Sequence, residues 1–180
     1  MKATKLQNQI LKRIRFKGLW TPEHQDLFSD YKLIKTVILQ MVKPFKEKKI
    51  DKVVAIDGVG FLLGALIANK LKIGLILIRK KGTISSLSYK TTFIDYSRKR
   101  RTLEIKKAAL IHNGESLLIV DDWAETGAHL RSAIKLLKNF QPKIVGISLL
   151  VNEMNPEQRK ILSKYNIREI IDFSKIQKPS

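Results

Sequence analysis

The sequence predicts an α/β fold, a mostly parallel twisted sheet with helices on both faces, and three observations lead to it. Short apolar runs at residues 53–56, 75–78, 117–120, 144–151 and 168–171 alternate with stretches at helical spacing. Two of these runs, 53–56 and 117–120, end in a glycine-containing turn that feeds the next helix, the joint of a βαβ unit. The chain has 180 residues, enough for one well-buried core, and no proline- or serine-rich stretch divides it, so residues 1–180 are read as a single domain.

Apolar residues recur at helical spacing from 6 to 14, and Leu33, Val37, Ile38 and Met41 repeat the pattern before Pro44, so two amphipathic helices open the chain. Between them, residues 16–30 mix Gly18, Pro22, His24 and aromatic side chains, which suggests an ordered loop more than another helix. Trp20 and Phe28 are placed there as core plugs or as part of a lid. A strand at 53–56, a helix at 61–71 and a strand at 75–78 form the first βαβ unit. The theme resumes with a strand at 117–120, a helix at 129–139, a strand at 144–151, a helix at 156–164 and a last strand at 168–171. Open sheets of this kind bind ligands beyond the carboxyl ends of their strands, which directs attention to the residues after Ile56, Ile78 and Val120.

The interval 80–102 has no clear periodicity, is rich in Ser, Thr and Lys, and holds the run Arg98, Lys99, Arg100, Arg101. Two readings stand side by side: a mobile hairpin with a solvated charge run, or a lid that closes over an anionic ligand.

Charge is the unusual feature of the composition. Thirty-five Lys and Arg against 16 Asp and Glu leave a formal +19, a field that attracts anions. Nucleic acid and phosphorylated small molecules both fit it, and part of the excess lysine is solvated surface. There is no cysteine for a disulfide or a thiol nucleophile, and no Gly-x-Ser-x-Gly elbow for a serine hydrolase. His24, His112 and His129 are isolated and show no zinc-ligand spacing, so no protein metal site is expected. The apolar runs are too short to span a bilayer and the opening Met-Lys-Ala-Thr-Lys has no charged-then-apolar leader, which points to a cytoplasmic protein without a membrane partner.

The strongest constellation is LLIVDDWAETGA at 117–128. Four apolar residues make a buried strand, and Asp121 and Asp122 follow where the strand is expected to leave the sheet. Buried ionised carboxylates are costly without partners, so a pair at this place is read as facing a ligand or cation. Glu125, Thr126 and Gly127 then turn into a helix whose free N–H groups and dipole favour phosphate, with Thr126 adding a hydroxyl and Gly127 allowing close approach. The competing reading is an Asp-Asp turn with Thr126 only capping the helix.

A second strand, turn and helix spans 53–64, with Asp57, Gly58, Val59 and Gly60 in the turn. Gly58-x-Gly60-x-x-x-Gly64 also admits a dinucleotide-binding turn, but that would leave Asp121 and Asp122 without a role. A third feature, Arg79, Lys80 and Lys81 at a strand end, is either a solvated edge or an anion contact.

Together these segments resemble the type I phosphoribosyltransferases, most nearly the adenine-specific branch, over roughly residues 50–155. LLIVDDWAETGA is similar to the family signature for phosphoribosyl pyrophosphate, DGVGFLLGALIANKLKIGLILIRKKGT to the segment from the pyrophosphate loop to the flexible loop, and TLEIKKAALIHNGESLLIV to the strand and turn leading back. The resemblance implies transfer of a phosphoribosyl group to a purine, adenine favoured, with release of pyrophosphate; a 6-oxopurine acceptor, or a non-catalytic relative that senses the sugar donor or nucleotides or binds nucleic acid, are the alternatives. Residues 1–50 would supply helices and a hood over the base, and 80–102 a flexible loop. Asp121 and Asp122 would bind ribose hydroxyls, and Ala124, Glu125, Thr126, Gly127 and Ala128 would cradle the 5′-phosphate. Asp57, Gly58, Val59 and Gly60 would meet the pyrophosphate with Lys80 or Lys81. Asp121, Asp122, Glu125 and Asp95 are the expected catalytic side chains, magnesium arrives with the sugar donor, and a homodimer is implied by analogy. Three departures stand out: Val59 where the family's adenine enzymes carry arginine, Glu125 where they carry alanine, and Asp95-Tyr96-Ser97 with a longer basic extension in place of Glu-Tyr-Gly.

Overall fold

A computed structural model describes residues 3–17 and 21–175. Helix α1 (Lys5–Arg13) starts at a capping box: the Thr4 hydroxyl accepts from the Gln7 amide while the Gln7 side chain accepts from the Thr4 amide. Strands β1 (Arg15–Lys17) and β2 (Thr21–Glu23) pair antiparallel, and a single-turn helix α2 (Gln25–Ser29) follows. Residues 16–17 and 21–30 are thus more regular than the sequence suggests. Five residues are too few to show a helical period, yet Leu27 anchors this turn by full burial. Phe28 packs against the same core, whereas Trp20 and Gly18 lie outside the described residues. Helix α3 (Tyr31–Val42) is capped by Asp30, whose side chain accepts from the Leu33 amide at 3.0 Å.

The centre is a seven-stranded sheet. It contains β3 (Lys52–Ile56), β4 (Gly74–Lys80), β5 (Ser88–Ile94), β6 (Arg100–Lys106), β7 (Ser116–Ala124), β8 (Lys143–Asn152) and β9 (Ile167–Asp172), in the order β5-β6-β4-β3-β7-β8-β9. Strands β4, β3, β7, β8 and β9 run parallel, and β5 and β6 form an antiparallel hairpin added to β4. The segment 80–102 contributes to this hairpin, a form that either reading of it admits. Its alternation is hard to read in sequence because Thr91, which shares a face with Leu103, is polar and buried, while Glu104 is buried on the opposite face. Glu104 accepts from the amides of Thr83 and Ile84 and from the Ser88 hydroxyl, which fixes the segment between β4 and β5.

Helices cover both faces. Val53, Leu118 and Val120 point to the side where α1, α3 and α4 (Gly60–Leu71) supply Ile10, Val37, Met41, Leu63 and Ile67. Val54, Leu117 and Ile119 point to the other, against Leu130, Ala133, Ile134 and Leu137 of α5 (Ala128–Leu137). Each such buried aliphatic side chain contributes about 1.5–3 kcal/mol, so the alternation along β3 and β7 fixes their register. Ser148 on β8 donates to the Met41 carbonyl at 2.8 Å, a buried polar link between sheet and helix. Helix α6 (Pro156–Ile161) joins β8 to β9 and is shorter than the expected 156–164.

Strand β7 corrects one expectation. It does not end at Val120 but runs to Ala124, so Asp121 and Asp122 belong to the strand. Its pairing with β3 stops at Val120, opposite Ala55, while its pairing with β8 continues to Ala124, opposite Asn152. The last four residues therefore overhang β3. No helix among the described residues is long and apolar enough to cross a membrane.

Candidate active site

Because β3 and β7 are adjacent and parallel, the turns that follow them lie side by side at the carboxyl edge of the sheet. In the first, Gly58 has φ +109°, a conformation that disfavours any residue with a Cβ. Asp57 Oδ2 accepts from the Lys80 amide at 2.7 Å, tying this turn to the end of β4. In the second turn Gly127 has φ +67°, and a Cβ there would stand 2.5 Å from Met154 Sδ. Thr126 Oγ1 accepts from the Ala128 amide at 3.3 Å, and Arg131 donates to the Thr126 carbonyl at 3.1 Å. The amides of the first turn of α5 therefore open next to the overhanging end of β7, where helix geometry favours an anion.

Two carboxylates occupy the overhang. Asp121 is 4% exposed. Its Oδ1 accepts from the Asp122 amide at 3.0 Å, and its Oδ2 lies 2.9 Å from Nε2 of His129 on α5. Gly60 is the reason Asp121 fits: a Cβ at Gly60 would collide with Asp121 Oδ1. Asp122 Oδ2 lies 3.4 Å from Nε2 of His24, the residue that begins α2. Burial pushes the Asp121 carboxyl up to about 7. Burial and the neighbouring Asp121 charge push Asp122 up as well, against the pull of His24. Glu125 is raised and His129 lowered, both mainly by burial.

These groups share a cavity of about 1140 Å³. Asp121, Asp122, Trp123 and Glu125 form one wall; Lys80, Lys81, Lys90, Arg100 and Arg101 stand on another, with Asp57, Gly58 and Val59 at the β3 turn. The anionic wall suits a developing cation, and the basic wall suits a polyanion. Trp123 is held by its indole N–H donating to Glu153 at 3.2 Å and by Phe173, 5.4 Å away between ring centroids.

The sequence-predicted residues do not all reach this space. Gly60, Ala124, Gly127 and Ala128 are buried and, with Thr126, lie outside the cavity's lining. Asp95 does line the cavity, but its carboxylate already accepts from Ser97 Oγ at 2.7 Å, the Lys99 amide at 2.9 Å and Arg101 Nε at 2.7 Å. Burial would raise this carboxyl, yet those donors outweigh it and hold it at about 2. Asp95 organises the tip of the hairpin. Conversely, His24 and His129, isolated in sequence, each stand beside one carboxylate of the pair. His129 was within reach of a sequence argument, as the second residue of the helix after the turn. His24 carries no local signal, since only the tertiary fold brings it to Asp122. Among the described residues no group of three or more His, Asp or Glu is placed to hold a metal ion.

The phosphoribosyl transferase domain family matches residues 25–179. An adenine phosphoribosyltransferase of Dinoroseobacter shibae is 33% identical over 156 residues, covering 83% of each chain. One from Clostridium botulinum is 29% identical over 171 residues and covers 94% of each. Among solved structures, the adenine phosphoribosyltransferase of Thermoanaerobacter pseudethanolicus superposes with a TM-score of 0.83 at 26% identity, covering 92% of this chain and 99% of that one. That of Rhodothermus marinus gives 0.83 at 25% identity, covering 91% and 96%.

Proposed function

The chain belongs to the phosphoribosyl transferase domain family, and from that premise we propose that its cavity binds the magnesium complex of phosphoribosyl pyrophosphate and transfers the sugar to adenine. One observation supports this reading above the others: two glycine turns on adjacent parallel strands, a carboxylate pair between them and a basic wall opposite. The amides of residues 125–128 take the 5′-phosphate, and Asp122, backed by Asp121, takes the ribose hydroxyls. The turn Asp57, Gly58, Val59 and Gly60 with Lys80 and Lys81 takes the diphosphate. Magnesium is carried by the donor's own phosphate oxygens and is part of the substrate.

In the reaction the C1–O bond to pyrophosphate breaks and its electron pair leaves with the pyrophosphate. A ring nitrogen of the base forms the new bond to C1 and sheds its proton. Asp121, Asp122 and Glu125 stabilise the positive charge that builds on the sugar, and the lysines stabilise the departing anion. Glu125 stands by the base, where its raised affinity for a proton suits it to exchange one with a ring nitrogen. The hairpin covers the site and excludes water, and residues 1–50 supply the hood in a single domain. Lys90, Arg100 and Arg101 line the cavity, which favours a small phosphorylated ligand over nucleic acid as the use of the basic run. The same reading gives a cytoplasmic purine-salvage enzyme working as a homodimer.

Pyrophosphate release measured with the magnesium complex and each purine or pyrimidine base in turn tests the proposal. Adenine gives the fastest release; no turnover with any base refutes it. Val59, an apolar side chain on the pyrophosphate turn, favours one second reading, a sensor that binds the sugar donor without turning it over.

A further inference from the structure

The mechanism above leaves His24 unused, although it is buried against the carboxylate that faces the cavity. Asp121 has both oxygens engaged, Oδ1 by the Asp122 amide and Oδ2 by the approach of His129. Asp122, whose side chain also meets that of Asp121, is the more open member of the pair; its side chain is 17% exposed and lines the cavity. Among the described residues its one ion-pair contact within 4 Å is His24 Nε2, at 3.4 Å. The imidazole is well placed to hold it: its side chain is 3% exposed, and the His24 carbonyl accepts from the amides of Leu27 and Phe28 at 3.0 and 3.2 Å. Leu27, fully buried, pins the same turn to the core.

We propose that His24 is a positioning residue for Asp122, aiming its carboxylate at the sugar donor and making the seating of α2 a part of the sugar site. This rests on the reading of the cavity given above. The other charged groups that act on Asp122 are Asp121 and Glu125 on its own strand and turn and His129 on α5; beyond them Lys80 acts on Asp121, Glu153 on Glu125 and Arg131 on His129. Two of the nearest, Asp121 and Glu125, are acids that disfavour a second negative charge. His24 offsets them, because a donor or cation beside a carboxylate favours its ionised form. Removing His24 leaves Asp122 protonated up to a higher pH, and the sugar donor then binds well only above it.

The test compares the full-length protein with His24→Leu and His24→Gln, measuring KM for the magnesium complex of phosphoribosyl pyrophosphate from pH 5.5 to 8.5. His24→Leu raises KM about tenfold at pH 7 and moves the acidic limb up by about one pH unit, as loss of the ion-pair partner of a carboxylate requires. His24→Gln, which keeps a donor, recovers most of the KM. An unmoved limb in His24→Leu, with or without a fall in kcat and melting temperature, overturns the proposal, because a structural role alone lowers both without shifting titration. If His24→Leu does not fold, a cycle of His24→Gln and Asp122→Asn read by calorimetric binding of the same complex replaces it. Coupling of about threefold or more is expected, and additivity overturns the proposal. Wild-type protein that binds the complex but turns over no base refutes the enzymatic reading alone, and calorimetry still decides His24. Wild-type protein that does not bind it overturns both.

Discussion

Gly60→Ala separates the demands of the helix from those of the site. At the first position of α4 alanine is the better helix former, a gain of up to about 1 kcal/mol. The new methyl group, however, occupies the place of Asp121 Oδ1, while Asp121 Cα and Cγ, each 3.4 Å away, stay at ordinary contact distance, so the carboxylate itself must turn aside. Overpacking of this kind costs about 1–3 kcal/mol. The carboxylate must also leave the Asp122 amide, which it meets at 3.0 Å, a bond worth about 1.5–3 kcal/mol while the acid is charged. These figures leave a net loss of about 1.5–5 kcal/mol in stability, with the carboxylate pair displaced. A loss of about 2 kcal/mol in transition-state binding is about thirtyfold in kcat/KM. Steady-state rates with the sugar donor and adenine, beside a thermal melt, read both quantities. Gly60→Ala within about threefold of wild type in kcat/KM would refute the claim that Asp121 needs this close approach.

Four further outcomes follow from the same geometry. Asp121 is held near 7, well above its unfolded range, so the folded state keeps a proton the unfolded state has lost, and the unliganded protein loses stability as pH rises from about 4 to about 7 and levels off above; Asp121→Asn flattens that slope in a melting-temperature series while costing about a hundredfold in turnover. Arg101→Met frees Asp95 at the hairpin tip, and hydrogen exchange at the Lys99 amide, which now donates to Asp95 at 2.9 Å, quickens by tenfold or more with little change in melting temperature. Val59→Arg adds a cation at the β3 turn and lowers KM for the sugar donor several-fold, an effect that shrinks in high salt; an unchanged KM would show that the basic wall already saturates the diphosphate. Ser148→Ala strands the Met41 carbonyl and costs about 1–2 kcal/mol in denaturant unfolding, with KM unmoved.

Much of the fold is written locally. Strands β3, β7 and β8 are runs of Val, Ile and Leu buried on both sides, so their existence and parallel order follow from composition and from the helices between them. The hairpin β5–β6 is harder to see because Thr91 interrupts the apolar face made by Tyr89, Leu103 and Ile105, while Glu104, buried on the opposite face, is satisfied by the three donors around it. The end of β7 was misplaced for a similar reason. Two aspartates look like the end of a strand, whereas here one carboxylate satisfies the amide of the next residue, where β3 no longer provides a partner. The glycine turns and the carboxylate pair were legible because their chemistry is confined to a few adjacent residues. His24 was not, since its meaning depends on a contact across the fold, and Asp95 was assigned by motif position to a task its three donors do not favour.

The overhang of β7 beyond β3 also determines what mutagenesis can reveal. Along residues 121–124 the strand has a ladder partner on one side only, and in the proposed site the two turns beside it contribute amides as well as side chains such as Asp57 and Glu125. The amide share of such a surface is silent in an alanine scan, because replacing a side chain leaves the peptide groups in place. Summed side-chain losses will therefore fall short of the whole affinity for an anionic ligand. Replacing single amides by esters at residues 126–128 would expose the remainder, and would measure how much recognition this chain entrusts to its backbone.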